Sequence, residues 1–169
     1  MRAIIVFYIC LLAIFTAGCK KGRPVDENQE SQFTFSVKKN GIDWKTKSAT
    51  AYYNKTDNSY YVTGFGENGE HLQFMFKKEP LATGKLEEFN MAVSVTACPI
   101  CSSLSASYTL DKSKTNKFEI IGFDNLQNLI AARFNVHLKR ERIYEDEEFT
   151  EELSSYEGLF SIRHEDSGL

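Results

Sequence analysis

The sequence predicts an all-β fold, an antiparallel β-sandwich or barrel of about nine short strands. Three observations predict it. From residue 32 onward apolar and polar residues alternate with period two, turn signals separate the alternating runs, and almost no stretch carries the 3.6-residue period of a helix. Composition agrees, since 13 Phe and 8 Tyr in 169 residues favour strands and only three prolines interrupt them.

The first 18 residues stand apart from that fold. Arg2 precedes an apolar run from Ala3 to Phe15, and Leu12-Ala13-Ile14-Phe15-Thr16-Ala17-Gly18-Cys19 places small residues directly before a cysteine. That arrangement predicts a lipoprotein signal peptide over 1–18, cleaved before Cys19. The Cys19 thiol accepts diacylglycerol and its freed amine a further acyl chain, so several chains make membrane attachment effectively permanent. The apolar run is shorter than the roughly 18–20 residues that span a bilayer. Lys20–Ser31 (KKGRPVDENQES) is polar and without periodicity, so 19–31 is expected to be a lipidated cysteine and flexible tether. Removing 1–18 from 169 residues leaves 151, enough for one β domain over 32–164, with 165–169 expected to fray. Arg2 leaves with the signal, so 19 basic side chains face 23 acidic ones. A mature charge of −4 without a clustered basic face excludes a nucleic-acid partner.

The strands can be taken in order. Phe33, Phe35 and Val37 alternate with polar residues, and Asn40-Gly41 is a hairpin signal because both residues tolerate positive φ. A second strand is predicted through Trp44 to Tyr53, then a turn at Asn58-Ser59 and a third strand over Tyr60–Phe65. Gly64-Phe65-Gly66-Glu67-Asn68-Gly69 matches the dinucleotide pattern G-x-G-x-x-G, which needs a helix N-terminus behind it to meet the pyrophosphate. Behind it stands another alternating run instead, with Leu72, Phe74 and Phe76 on one face, so Asn68-Gly69 reads as a hairpin turn. Further runs are Phe89–Val95, Ala106–Leu110 and Phe118–Phe123. The cleanest strand has Ile130, Ala132, Phe134, Val136 and Leu138 inward, with Arg133, Asn135, His137 and Lys139 outward. Phe149, Leu153 and Tyr156 lie at i, i+4, i+7 and predict one short helix near 147–154, before a last strand over Gly158–Ile162.

Few residues offer chemistry. No G-x-S-x-G turn presents a nucleophile, and His71, His137 and His164 are scattered, each expected to be solvated on a polar strand face. The acidic run 145–152 lacks the glycine and spacing of a calcium loop and is expected to be solvated. Outside the signal and Cys19, only Cys98 and Cys101 remain, in the pattern C-x-x-C. An oxidising compartment favours a structural disulfide between them. A redox centre would need a helix N-terminus at Cys98, and a zinc site two more ligands. No catalytic residue, metal or cofactor is therefore expected. Two alternatives stay open, a barrel cavity that carries a small apolar ligand and a thiol redox or metal protein using Cys98 and Cys101.

The order of these elements resembles a family of small Bacteroidetes lipoproteins. The resemblance rests on Phe33 to Trp44 (FTFSVKKNGIDW), on Phe123 to Phe134 (FDNLQNLIAARF) and on Gly158 to Phe160, and Ala131-Ala132-Arg133-Phe134 departs from it. It implies an all-β fold in the cell envelope and no particular activity. Surface-exported members carry an acidic run behind the lipidated cysteine, where this chain has Lys20, Lys21, Gly22 and Arg23, so a periplasm-facing domain is expected. The expected function is a non-catalytic binding or structural module. It is anchored to the membrane through Cys19 and meets an envelope protein, glycan or lipid.

Overall fold

Among the described residues the chain forms twelve strands, most of them along the alternating runs. A computed structural model describes residues 33–77, 83–98, 103–144 and 151–167. The strands are β1 (Phe33–Lys39), β2 (Ile42–Trp44), β3 (Thr46–Asn54), β4 (Ser59–Gly66), β5 (Glu70–Lys77) and β6 (Gly84–Leu86). They continue as β7 (Phe89–Thr96), β8 (Leu104–Leu110), β9 (Lys117–Asp124), β10 (Leu129–Ile143), β11 (Leu153–Arg163) and β12 (Glu165–Ser167). The class is all-β, as the alternation predicts. The count exceeds the expected nine because three short strands, β2, β6 and β12, are too brief to show a period.

The expected turns form where asparagine and glycine supply positive φ. Asn40 (φ 50°) and Gly41 (φ 81°) close the β1–β2 hairpin, Asn58 (φ 55°) turns β3 into β4, and Gly69 (φ 81°) turns β4 into β5. The dinucleotide-like pattern is thus a hairpin, and its glycines serve packing. An ideal Cβ on Gly64 would lie 2.7 Å from Cε1 of Phe35, and one on Gly66 2.6 Å from Cζ2 of Trp44. Glycine on the inner face of β4 leaves room for two aromatic rings arriving from β1 and β2.

All strands join one sheet in the order β12-β3-β4-β5-β7-β8-β10-β11-β1-β2, with β9 on β10 and β6 on β9. Every pairing is antiparallel except β12 with β3. Only His164 separates β11 from β12, so one run of chain belongs to both ends of that order and the sheet rolls on itself. Long β10 uses one edge twice. Its C-terminal half pairs with β8 and its N-terminal half with β9. At the changeover Asp111 N–H donates to the His137 carbonyl (2.9 Å), and His137 N–H donates to Asn116 Oδ1 (2.7 Å).

The inner faces meet across the roll. Phe74 of β5 packs on Phe134 of β10 (ring centroids 4.8 Å), Phe160 of β11 (5.3 Å) and Phe118 of β9 (5.7 Å). Phe134 is buried and Asn135 exposed, as the alternation requires. Each buried ring contributes about 1.5–3 kcal/mol through burial, and each aromatic pair about 0.5–1.5 kcal/mol more.

Two expectations fail. No helix forms among the described residues: 145–150 lie outside them, and from Leu153 the chain is strand, with Ser154 and Tyr156 buried and Leu153 exposed. Pairing of β11 with both β1 and β10 overrides the helical spacing. The tail does not fray at 165–167 either, because β12 pairs Glu165, Asp166 and Ser167 with Tyr52, Tyr53 and Asn54. The signal over 1–18, Cys19, the tether over 19–31, and Cys101 lie outside the described residues.

Candidate functional site

Two charged residues occupy inward positions that alternation reserves for the core. Glu70 opens β5 on the face of Leu72, Phe74 and Phe76, and Lys39 ends β1 on the face of Val37. The Glu70 carboxylate is buried and fully engaged. It accepts from Lys39 Nζ (2.5 Å) and Trp44 Nε1 (2.8 Å), and more weakly from Tyr156 Oη (3.4 Å). Lys39 also reaches Glu151 (2.8 Å) and lies 5.9 Å from the Tyr156 ring centroid. Burial alone lowers the Lys39 ammonium, but its hydrogen bonds to Glu151 and Glu70 win and hold it above its usual value. Burial, reinforced by the Glu70 charge, pushes Tyr156 far above the usual tyrosine value. This network ties β1, β2, β5 and β11 together at one end of the roll. It also catches the end of the acidic run. Glu151 bonds Lys39 and Asn40, and its carbonyl accepts from Tyr108 Oη (2.9 Å); of the two described residues of the run, Glu151 and Glu152, Glu152 is exposed. Both carboxylate oxygens of Glu70 accept hydrogen bonds from other strands, so the cluster acts as a cross-brace.

The network was legible in principle. Two opposite charges on inward faces of separate strands require each other, because an unpaired buried charge costs several kcal/mol. Counting Glu70 as part of the Asn68-Gly69 turn hides that signal.

Outside the roll, the faces of β9, β10, β11 and β1 form a groove of about 400 Å³. Register sets its two rows. One runs Lys38, Glu157, Asn135, Lys117 and the next Ser36, Leu159, Arg133, Glu119. Directly opposed side chains on neighbouring strands sit about 4.5–5.5 Å apart at Cβ, so the first row sets Glu157 beside Lys38 and Asn135, and the second sets Arg133 between apolar Leu159 and Glu119. Gly158 lets the strands close up beneath. A Cβ there would stand 2.2 Å from the Ser36 carbonyl oxygen of β1. Arg133 and Glu119 approach only to 4.0 Å and both are exposed, so their pairing is worth under about 1 kcal/mol and leaves both heads available.

The remaining candidates scatter. His71 packs edge-on against Phe65 (4.9 Å). His164, expected on a wet face, is buried at the β11–β12 bend, edge-on to Tyr60 (4.9 Å) and parallel to Phe123 (6.4 Å). His137 has its Nδ1 buried without a hydrogen-bond partner, beside a recess of about 220 Å³ that Asp111 and Lys114 also line. Cys98 is disulfide-bonded, its carbonyl accepting from Thr96 Oγ1 (2.8 Å), while Cys101 lies outside the described residues. Among the described residues no three His, Cys, Asp or Glu side chains gather into a metal site. No family model, curated protein or solved structure matches the chain.

Proposed function

We propose that the chain is an envelope lipoprotein. It is anchored through acylated Cys19, and its β domain is a non-catalytic binding module held close to the membrane on its periplasmic side. The partner is an envelope protein, glycan or lipid met at the outer groove. One observation carries the binding half of this reading. Aromatic rings fill the inside of the roll, whereas the outer face of β9, β10, β11 and β1 holds a groove in which charged and polar side chains, among them Lys38, Lys117, Arg133 and Glu157, surround an apolar strip at Gly158 and Leu159. A cleft of about 400 Å³ falls in the usual range for ligand sites. The lipobox carries the anchoring half, and the Bacteroidetes lipoproteins that the chain resembles supply the compartment. Cys98 and Cys101 are proposed to pair as a short structural disulfide, which suits that compartment and needs no redox role.

The test has two arms. Labelled palmitate is expected on the wild-type protein and not on Cys19→Ala, which stays an unprocessed precursor. In pull-downs from solubilised envelope, the variant compared is Lys38→Ala/Arg133→Ala, because a glutamate at either position would face Glu157, Asp43 or Glu119. It should melt close to wild type and lose about tenfold of whatever the wild type captures. Unlabelled wild type removes the anchor, and equal capture by both proteins removes the groove.

A further inference from the structure

We propose a second site, beyond the groove: the seam between β1 and β3 takes up an extended segment of another polypeptide by strand addition. The β1–β2 hairpin starts as an ordinary ladder, Lys39 with Ile42 through Val37 with Trp44. Continued at that register it would set Phe35 against Thr46 and Phe33 against Ser48. It stops instead. Beyond Val37 the two strands pair in opposite directions, β1 with β11 along its whole length and β3 with β4.

The cause is on the inner face. The Phe35 ring lies over Gly64 and stacks on Phe160 (5.3 Å, 15°), and the Trp44 ring lies over Gly66. These rings wedge the hairpin open. A register shift between Thr46 and Ser48 interrupts the β3–β4 ladder at the same level. Two strand edges therefore face each other without backbone partners among the described residues, Phe33–Ser36 on β1 and Thr46–Ala51 on β3.

Between them lies a recess of about 250 Å³. Phe33, Ala49, Ala51 and Ile162 make its apolar floor, and Arg163 and Glu165 stand at its rim. The chain itself provides the precedent. β12 adds to this same edge of β3 in parallel, at Tyr52–Asn54, directly beyond the vacant stretch. Unpaired N–H and C=O groups on both sides ask for an extended backbone, and alanines on the floor ask for apolar side chains at every second residue. A free strand edge is normally blunted by charge or proline. Here Lys47 is the one charged residue over 46–51.

The full-length protein in detergent micelles supplies the test. The probe is a short synthetic peptide alternating threonine with valine, alongside two versions N-methylated on alternate amides, odd in one and even in the other. Seam-facing amides of 46–51 are expected to exchange rapidly with solvent and to become protected when the unmodified peptide binds. Both methylated peptides should bind about tenfold or more weakly, since each edge loses its hydrogen bonds. Ala49→Phe should weaken the unmodified peptide as much, while Lys38→Ala/Arg133→Ala should bind it normally. Equal binding of all three peptides would mean apolar adsorption, and loss with only one would mean addition to a single edge. Either overturns the insertion. So does slow exchange at 46–51 without peptide, whether a second copy (seen as a dimer by sedimentation) or the chain's own residues 20–32 cover the seam.

Discussion

Glu70 shows how one residue can organise the end of a fold. Its carboxylate holds a lysine, an indole and a phenol from three other strands, and without it the indole N–H of Trp44 would be left unsatisfied in the interior. Glu70→Ala is expected to cost about 3 kcal/mol, the low end for breaking a buried pair, because Lys39 keeps Glu151. Glu70→Gln retains an acceptor for Trp44 Nε1 and should cost about half as much. Urea midpoints decide it. Unchanged midpoints for both variants would reduce the network to a surface contact. Residue-level legibility was uneven for a physical reason. Alternation places Phe134 inward and Asn135 outward without knowledge of any neighbour. The partner of Glu70 depends on which strands pair, and period two does not encode that.

At the scale of elements, the same gap explains what the sequence conceals. Asn40-Gly41 and Asn68-Gly69 are readable because their turn chemistry is local. The segment Leu153–Tyr156 is not. Its helical spacing and its strand alternation are both present, and only the ladders with β1 and β10 choose between them. β12 is the extreme case: three polar residues form a strand because β3 offers an edge. Stopping the chain after Arg163 removes those pairings and His164 from between Tyr60 and Phe123. A loss of about 2–4 kcal/mol is expected, comparable to truncating a core side chain. A fraying tail would lose nothing, and denaturant melts separate the two. The groove stands between these cases. Its residues are the outward members of readable strands, while their assembly into rows comes from strand order alone.

For the whole molecule, the buried hydroxyls and the Lys39 ammonium set an alkaline limit. Burial, with the neighbouring Tyr53 and Asp166, pushes Tyr60 up to about 12 from 10.0, and burial also raises Tyr156 and Tyr108. Lys39 is raised above 10.5. All four bind their protons more tightly folded than unfolded. Their contribution is therefore whole below about pH 10 and declines as pH rises from there through the folded values. Urea midpoints should be flat from about pH 8 to 9.5 and fall steadily above about pH 10, with ultraviolet absorbance showing late ionisation of part of the tyrosines. Constant stability up to about pH 11.5 would contradict it.

The run of chain through His164 also has a consequence in time. β1 finds its full-length partner only in β11, and the open edge of β3 receives its first contact only from β12. A polypeptide made N-terminus first therefore holds the β1–β2 hairpin and the β3–β4 pair with one edge each unmatched until almost the last residue has emerged. The roll closes only when these last strands arrive, so its closure depends on the C-terminal residues and not on the early hairpins.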